Sequence, residues 1–201
     1  MKLAIFVEGQ TEGCLREFLS RWLHQNQIQG IGINLRPFNG VGEYLNEIGR
    51  RANLALATRG VLGAVGIIDF YASTLQYPDS PIGAQYQWAK QEMERRVGHD
   101  RFRQHFAVHE TEAWLLSDLN VFPREIRDEL PKTSRPESVN HRRPPGERLR
   151  DIYWRKLNRK YKKPIEGASL FRKLNPQIAY EKCPHLRLLL DDVLALASRL
   201  E

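Results

Sequence analysis

The residues that could do chemistry in this 201-residue chain are carboxylates placed where apolar runs end. The segment Ala4-Ile5-Phe6-Val7-Glu8-Gly9-Gln10-Thr11-Glu12 drives a short apolar run into two acids and a glycine, where a helix should begin. Asp69 closes a second such run, and Glu110 and Glu112 close a third. A carboxylate at the mouth of a buried strand is costly to desolvate unless a cation meets it. Magnesium and manganese take hard oxygen ligands from a few carboxylates, with water and phosphate completing the shell. Glu8, Glu12, Asp69, Glu110 and Glu112 supply that inventory without histidine or cysteine. In a phosphodiester reaction the ion would activate the attacking group and offset charge on the leaving oxygen, and a lysine would stabilise the transition state. For each acid the competing role is structural. Glu8 and Glu12 also suit a helix N-terminus, Asp69 suits a loop cap, and only one of Glu110 and Glu112 need face a site.

These acids need a scaffold that gathers strand ends. Residues 2–7 read as a first strand, and Leu15, Phe18, Leu19, Trp22 and Leu23 then repeat at helical spacing. Ile31, Ile33 and Leu35 alternate as a second strand that stops at Pro37. Tyr44, Leu45, Ile48, Ala52 and Leu56 form the inner face of a second helix. The nearly unbroken apolar run 61–68 suits a central strand covered on both faces. A helix over 83–97 and a fourth strand over 102–108 follow. Short helices are expected at 113–116 and 123–130, and longer ones at 147–160, 168–174, 176–182 and 185–200. The proline-rich, basic stretch 131–146 reads as a linker or mobile loop. The alternation predicts an α/β fold, with about four mainly parallel strands flanked by helices in residues 1–130 and a basic helical extension in 131–201 packing on it. In such a sheet the carboxyl ends of the strands line one crevice, where ligands bind.

Charge is divided unevenly. Between residues 131 and 187 there are 16 Lys and Arg against 5 Asp and Glu, so that stretch is net +11 while the remainder is net −4 within an overall +7. An acidic α/β part beside a basic helical part suits a polyanion held by one and acted on by the other, although a solvated basic surface has the same composition. Arg142, Arg143, Arg155, Lys156, Arg159, Lys160, Lys162 and Lys163 are the candidate nucleic-acid contacts, and Tyr153, Trp154 and Tyr161 interleave with them. The two cysteines, Cys14 and Cys183, are too few and too far apart for a disulfide framework or a zinc site. No apolar run approaches the ~20 residues of a membrane span, and the opening segment does not read as a signal peptide, so a cytoplasmic setting is expected.

Glu8-Gly9-x-Thr11-Glu12 after a first strand, followed by Ile67-Ile68-Asp69-Phe70-Tyr71, resembles the Toprim fold of topoisomerases, primases and OLD-family nucleases. The resemblance is closer to a bacterial family of Toprim-like proteins associated with defence or mobile elements. There the pattern includes His109-Glu110-x-Glu112-Ala113-x-Leu115-Leu116-Ser117-Asp118 and Cys183-Pro184-His185 before a last helix. By this resemblance Glu8 is the Toprim glutamate, Asp69 the first aspartate of its Asp-x-Asp pair, Glu12 and Glu110 or Glu112 the further acids, and Lys156 or Lys163 the electrophilic lysine of an OLD-like site. Tyr71 stands where the second aspartate belongs, and a phenol is a poor magnesium ligand. The resemblance implies a magnesium- or manganese-dependent nuclease acting on DNA or RNA. Its alternative is a non-catalytic nucleic-acid-binding or accessory module that partners a separately encoded ATPase.

Overall fold

A computed structural model of the chain describes residues 1–9, 13–70, 75, 78–79, 81–138 and 143–199. Four strands, β1 (Lys2–Val7), β2 (Gly32–Pro37), β3 (Val61–Asp69) and β4 (Phe102–Ala107), form one parallel sheet in the order β2-β1-β3-β4. Helices α1 (Cys14–Gln25), α2 (Val41–Leu56) and α3 (Ile82–Val97) connect them in turn. The order reverses at β1, because the chain leaves it towards β2 and returns on its other side as β3. That reversal opens a crevice between the carboxyl ends of β1 and β3, and the register brings Val7 beside Ile67, so Glu8 and Asp69 emerge together.

The two faces of the sheet are apolar for reasons visible in each strand. Alternate residues of β1 point opposite ways: Leu3, Ile5 and Val7 join one core with α1, while Ala4 and Phe6 join a second core with α2 and α3. Burial on both faces accounts for the continuous apolar character of β1 and β3. After β4 the chain is helical: α4 (Glu112–Leu115), α5 (Arg124–Arg127), α6 (Pro145–Leu157), α7 (Ala168–Lys173), α8 (Pro176–Lys182) and α9 (Pro184–Ala197).

The segment expected as an extension shares the core of the sheet. Leu186, Leu189, Leu190, Val193 and Leu196 of α9 belong to the same buried cluster as Leu3, Ile5, Val65 and Trp22. Gly63 makes this possible, because a Cβ there would lie 2.8 Å from Leu196 Cδ2. A polar network also fixes α9. Asp192 Oδ2 meets His105 Nε2 at 2.9 Å and Lys90 Nζ at 3.3 Å, and Lys90 also pairs with Glu94 at 2.6 Å. Burial lowers the pKa of His105, so the neutral ring donates from Nε2 to Asp192. Burial alone would raise the pKa of Asp192, but His105 and Lys90 outweigh it and the carboxylate stays ionised.

The stretch read as a linker or mobile loop contains a fixed point. Glu137, in a 3-10 turn (Pro136–Ser138), is only 5% exposed. Its carboxylate accepts from the backbone N–H of His185 at 2.8 Å and of Leu186 at 3.0 Å, and from the indole of Trp114 at 3.2 Å. The loop therefore caps α9 from a distance and ties it to α4. Composition alone could not show this, because the donors lie 23 to 49 residues away. No described helix is long and apolar enough to cross a membrane.

Candidate active site

The crevice between β1 and β3 holds a cavity of about 120 Å³ lined by Glu8, Gly9, Ile67, Ile68, Asp69, Thr111 and Lys163. Glu8 and Asp69 reach it from the first position after β1 and the last of β3. The Asp69 backbone N–H donates to Glu8 Oε2 at 3.4 Å, which holds the glutamate across the two strand ends. The Glu8 carbonyl also accepts from Gly40 N at 3.1 Å, fixing the backbone as it leaves the sheet.

Lys163 enters from the opposite wall, at the start of a π-helical turn (Lys163–Gly167) beyond α6. Its Nζ lies 3.2 Å from Glu112 Oε2, and the two side chains are 22% and 4% exposed. The hydroxyls of Thr111 and Tyr161 reach the same carboxylate at 3.4 and 3.5 Å. Burial, reinforced by the charge of Glu112, pushes the pKa of Tyr161 up, so its phenol remains a donor. Glu112 thus holds a cation in place, and that cation is the one lining the cavity.

Glu110 has a different task. Its Oε2 accepts from Gly146 N at 2.6 Å, in the first turn of α6. A Cβ on residue 146 would lie 2.8 Å from that oxygen, so glycine lets the helix end approach. Burial raises the pKa of Glu110; the Gly146 hydrogen bond opposes this and the nearby charge of Glu112 adds to it. Through Glu110 the basic helix α6 is anchored at the strand end that carries Thr111 and Glu112.

The acids named from the sequence thus separate into two sets. Glu8 and Asp69 line the cavity. Glu110 and Glu112 are occupied by Gly146 and by Lys163, and neither contributes to the cavity lining. Among the described residues no group of three or more His, Cys, Asp and Glu side chains is disposed to hold a metal ion. Glu12, Tyr71 and Arg142 lie outside the described residues. A magnesium ion suits the cavity in donor chemistry: one or two carboxylates with water and substrate phosphate is its ordinary protein environment. Two carboxylates facing one ammonium also leave the lining net negative, which favours a divalent cation. Glu8 and Asp69 are the residues that would hold it.

Of the two lysines left as alternatives, Lys156 is directed elsewhere. Its Nζ pairs with Glu129 at 2.6 Å, joined by Arg155 at 3.6 Å. Arg143 pairs with Asp151 and lies 3.9 Å from Glu147. The Arg159 guanidinium stands over the ring of Tyr153 at 5.5 Å, while Lys160 and Lys162 are exposed. The aromatics interleaved with these cations divide as well. Tyr153 and Tyr161 are buried in the core and cannot stack on a base, whereas Trp154 is 56% exposed.

The profile of a family described as a domain of unknown function, DUF4276, matches residues 7–194. The chain belongs to that family. The DUF4276 match runs from the last residue of β1 into α9, so it takes in both strand ends, Lys163 and the capped last helix. No curated protein and no solved structure matches the chain.

Two placements had no signal in the sequence: Thr111 lines the cavity beside Glu112, and Glu137 organises the start of α9. Thr111 lies between two acids, and its hydroxyl becomes a partner of Glu112 only through the turn after β4. Glu137 carried no local signal.

Proposed function

We propose that this DUF4276 chain is a Toprim-like, divalent-metal-dependent phosphodiesterase acting on DNA or RNA. The observation that carries the reading is the meeting of Glu8, Asp69 and Lys163 around one small cavity at the sheet's switch point. Two carboxylates opposite one ammonium suit a phosphodiester, whose transition state gains negative charge that both a metal and a lysine can offset. Glu8 and Asp69 would hold Mg²⁺ or Mn²⁺, which when bound supplies activation of water and neutralisation of phosphate charge.

The chain's own residues do the rest. Lys163 donates to a phosphate oxygen, and Glu112 directs its ammonium. Thr111 braces Glu112 and gives the cavity wall a hydroxyl. The exposed cations Lys160 and Lys162 attract the sugar-phosphate backbone, and Trp154 offers a face to an unpaired base. The buried thiols of Cys14 and Cys183 suit a reducing, cytoplasmic setting.

Purified protein is expected to nick plasmid or degrade single strands when manganese is added, and Glu8→Ala or Asp69→Ala is expected to abolish this. Undiminished cutting by both variants would place the activity elsewhere. Binding without cutting, unaffected by Glu8→Ala, would instead support an accessory module that works with a separate ATPase.

A further inference from the structure

A second, larger cavity shares a wall with the first. It has a volume of about 480 Å³, and its lining includes Ile82, Val108, His109, Arg135, His185 and Arg187. The shared wall is the turn after β4: His109 lines the larger cavity and Thr111, two residues on, lines the smaller. Two residues of chain span at most about 7 Å. His109 has φ +77°, and the other described non-glycine residues with positive φ, Gln27 and Asn158, close helices instead. A side chain carried by such backbone at a strand end marks a place where the surroundings impose a conformation.

The chemistry of the larger cavity is specific. Ile82 and Val108 supply apolar surface, and His109 and His185 supply two aromatic rings. The His185 ring packs against Tyr86 with centroids 4.3 Å apart. Its Nδ1 is buried and has no hydrogen-bond partner. A buried ring nitrogen left unsatisfied beside a cavity calls for a ligand or water to complete it. Arg135 is exposed at the rim, while Arg187 is partly occupied by the carbonyls of Tyr180 and Glu181. Glu137 also borders the space, but both its oxygens already accept hydrogen bonds. Apolar surface with a few placed polar groups and a volume within about 300–1,000 Å³ is the usual form of a small-molecule site.

We infer that this cavity seats the base of the nucleotide next to the scissile phosphate, with the cavity's apolar and ring surface, the His185 ring included, packing on its face and Arg135 meeting its phosphate. The inference rests on the phosphodiesterase reading for the placement of that phosphate, but the binding site itself can be tested alone. The probes are adenosine, deoxyadenosine 5′-monophosphate and inorganic phosphate, titrated into the metal-free full chain by calorimetry. The monophosphate is expected to bind more tightly than adenosine, and adenosine more tightly than phosphate. His185→Ala and Arg135→Ala are each expected to weaken the monophosphate about tenfold, in line with loss of a base or phosphate contact. Glu8→Gln should leave this binding unchanged while abolishing cleavage, which separates the two claims.

If nucleotide binds in this way but the wild-type protein never cuts, the nuclease reading fails and the base site stands. The inference is overturned if no nucleotide binds, if phosphate binds and adenosine does not, or if both variants keep wild-type affinity. Arg135 is exposed, so its variant tests the site even if His185→Ala perturbs the start of α9.

Discussion

Replacing Lys163 with methionine should expose how the site lysine is held. The ammonium lies 3.2 Å from a carboxylate that is almost wholly buried. At an effective dielectric of 20 the gross attraction at that distance is about 5 kcal/mol, much of it offset by desolvating the two charges. Removing one partner of a buried pair costs ~3–5 kcal/mol because the other charge stays behind. Lys163 keeps 22% exposure, and Thr111 and Tyr161 still reach Glu112, so the expected loss falls at or just below that range, about 2–3 kcal/mol. Glu112→Gln should cost less, about 1–2 kcal/mol, because the lysine left behind is the more exposed member. The double variant Lys163→Met with Glu112→Gln should recover most of the loss, giving a coupling of about 3 kcal/mol. Urea unfolding followed by tryptophan fluorescence measures all four states, and an unchanged slope would show that the folded form is intact. Cleavage should fall about 100-fold in both variants lacking the lysine, whatever their stability. Additive stabilities, or full activity in the double variant, would refute both the buried pair and the role of Lys163.

Glu137→Ala leaves the N–H groups of His185 and Leu186 and the indole of Trp114 without their acceptor, so urea unfolding should show a loss of roughly 2–4 kcal/mol. Gly146→Ala would ordinarily favour a helix, but here its Cβ meets Glu110 Oε2; a net loss of about 1 kcal/mol is expected by the same measurement, and a gain would contradict the contact. Burial raises the folded-state pKa of Glu110, so the folded protein binds the proton more strongly than the unfolded chain does. The contribution is therefore present at acid pH and lost as pH rises from the ordinary carboxylate range through the folded value. Glu110→Gln should flatten the fall of the melting temperature across that window, leaving the parallel contribution of Glu137, whose pKa burial also raises.

The two central strands were legible because β1 and β3, buried on both faces, are apolar throughout, and a carboxylate marks where each leaves the core. That is why Glu8 and Asp69 could be placed at one edge before their register was known. The acidic residues after β4 were harder. Glu110 and Glu112 have the same chemistry and differ only in what approaches them: the start of α6 in one case, Lys163 in the other. Those partners are 36 and 51 positions along the chain, and no local pattern encodes them. The same holds for Glu137, whose proline-rich neighbourhood suggested a linker although its carboxylate is buried under α9. The interleaved aromatics of α6 looked equivalent in sequence, yet helical geometry turns Tyr153 inward and Trp154 out.

The most direct test of the site is anomalous diffraction from crystals of the protein grown with manganese. A single strong peak coordinated by carboxylate oxygens of Glu8 and Asp69 at about 2.1 Å, with the Lys163 ammonium facing it across the cavity, is the expected result. Manganese bound only at other acids, or absent at saturating concentration while Glu8 and Asp69 stay unliganded, would contradict it.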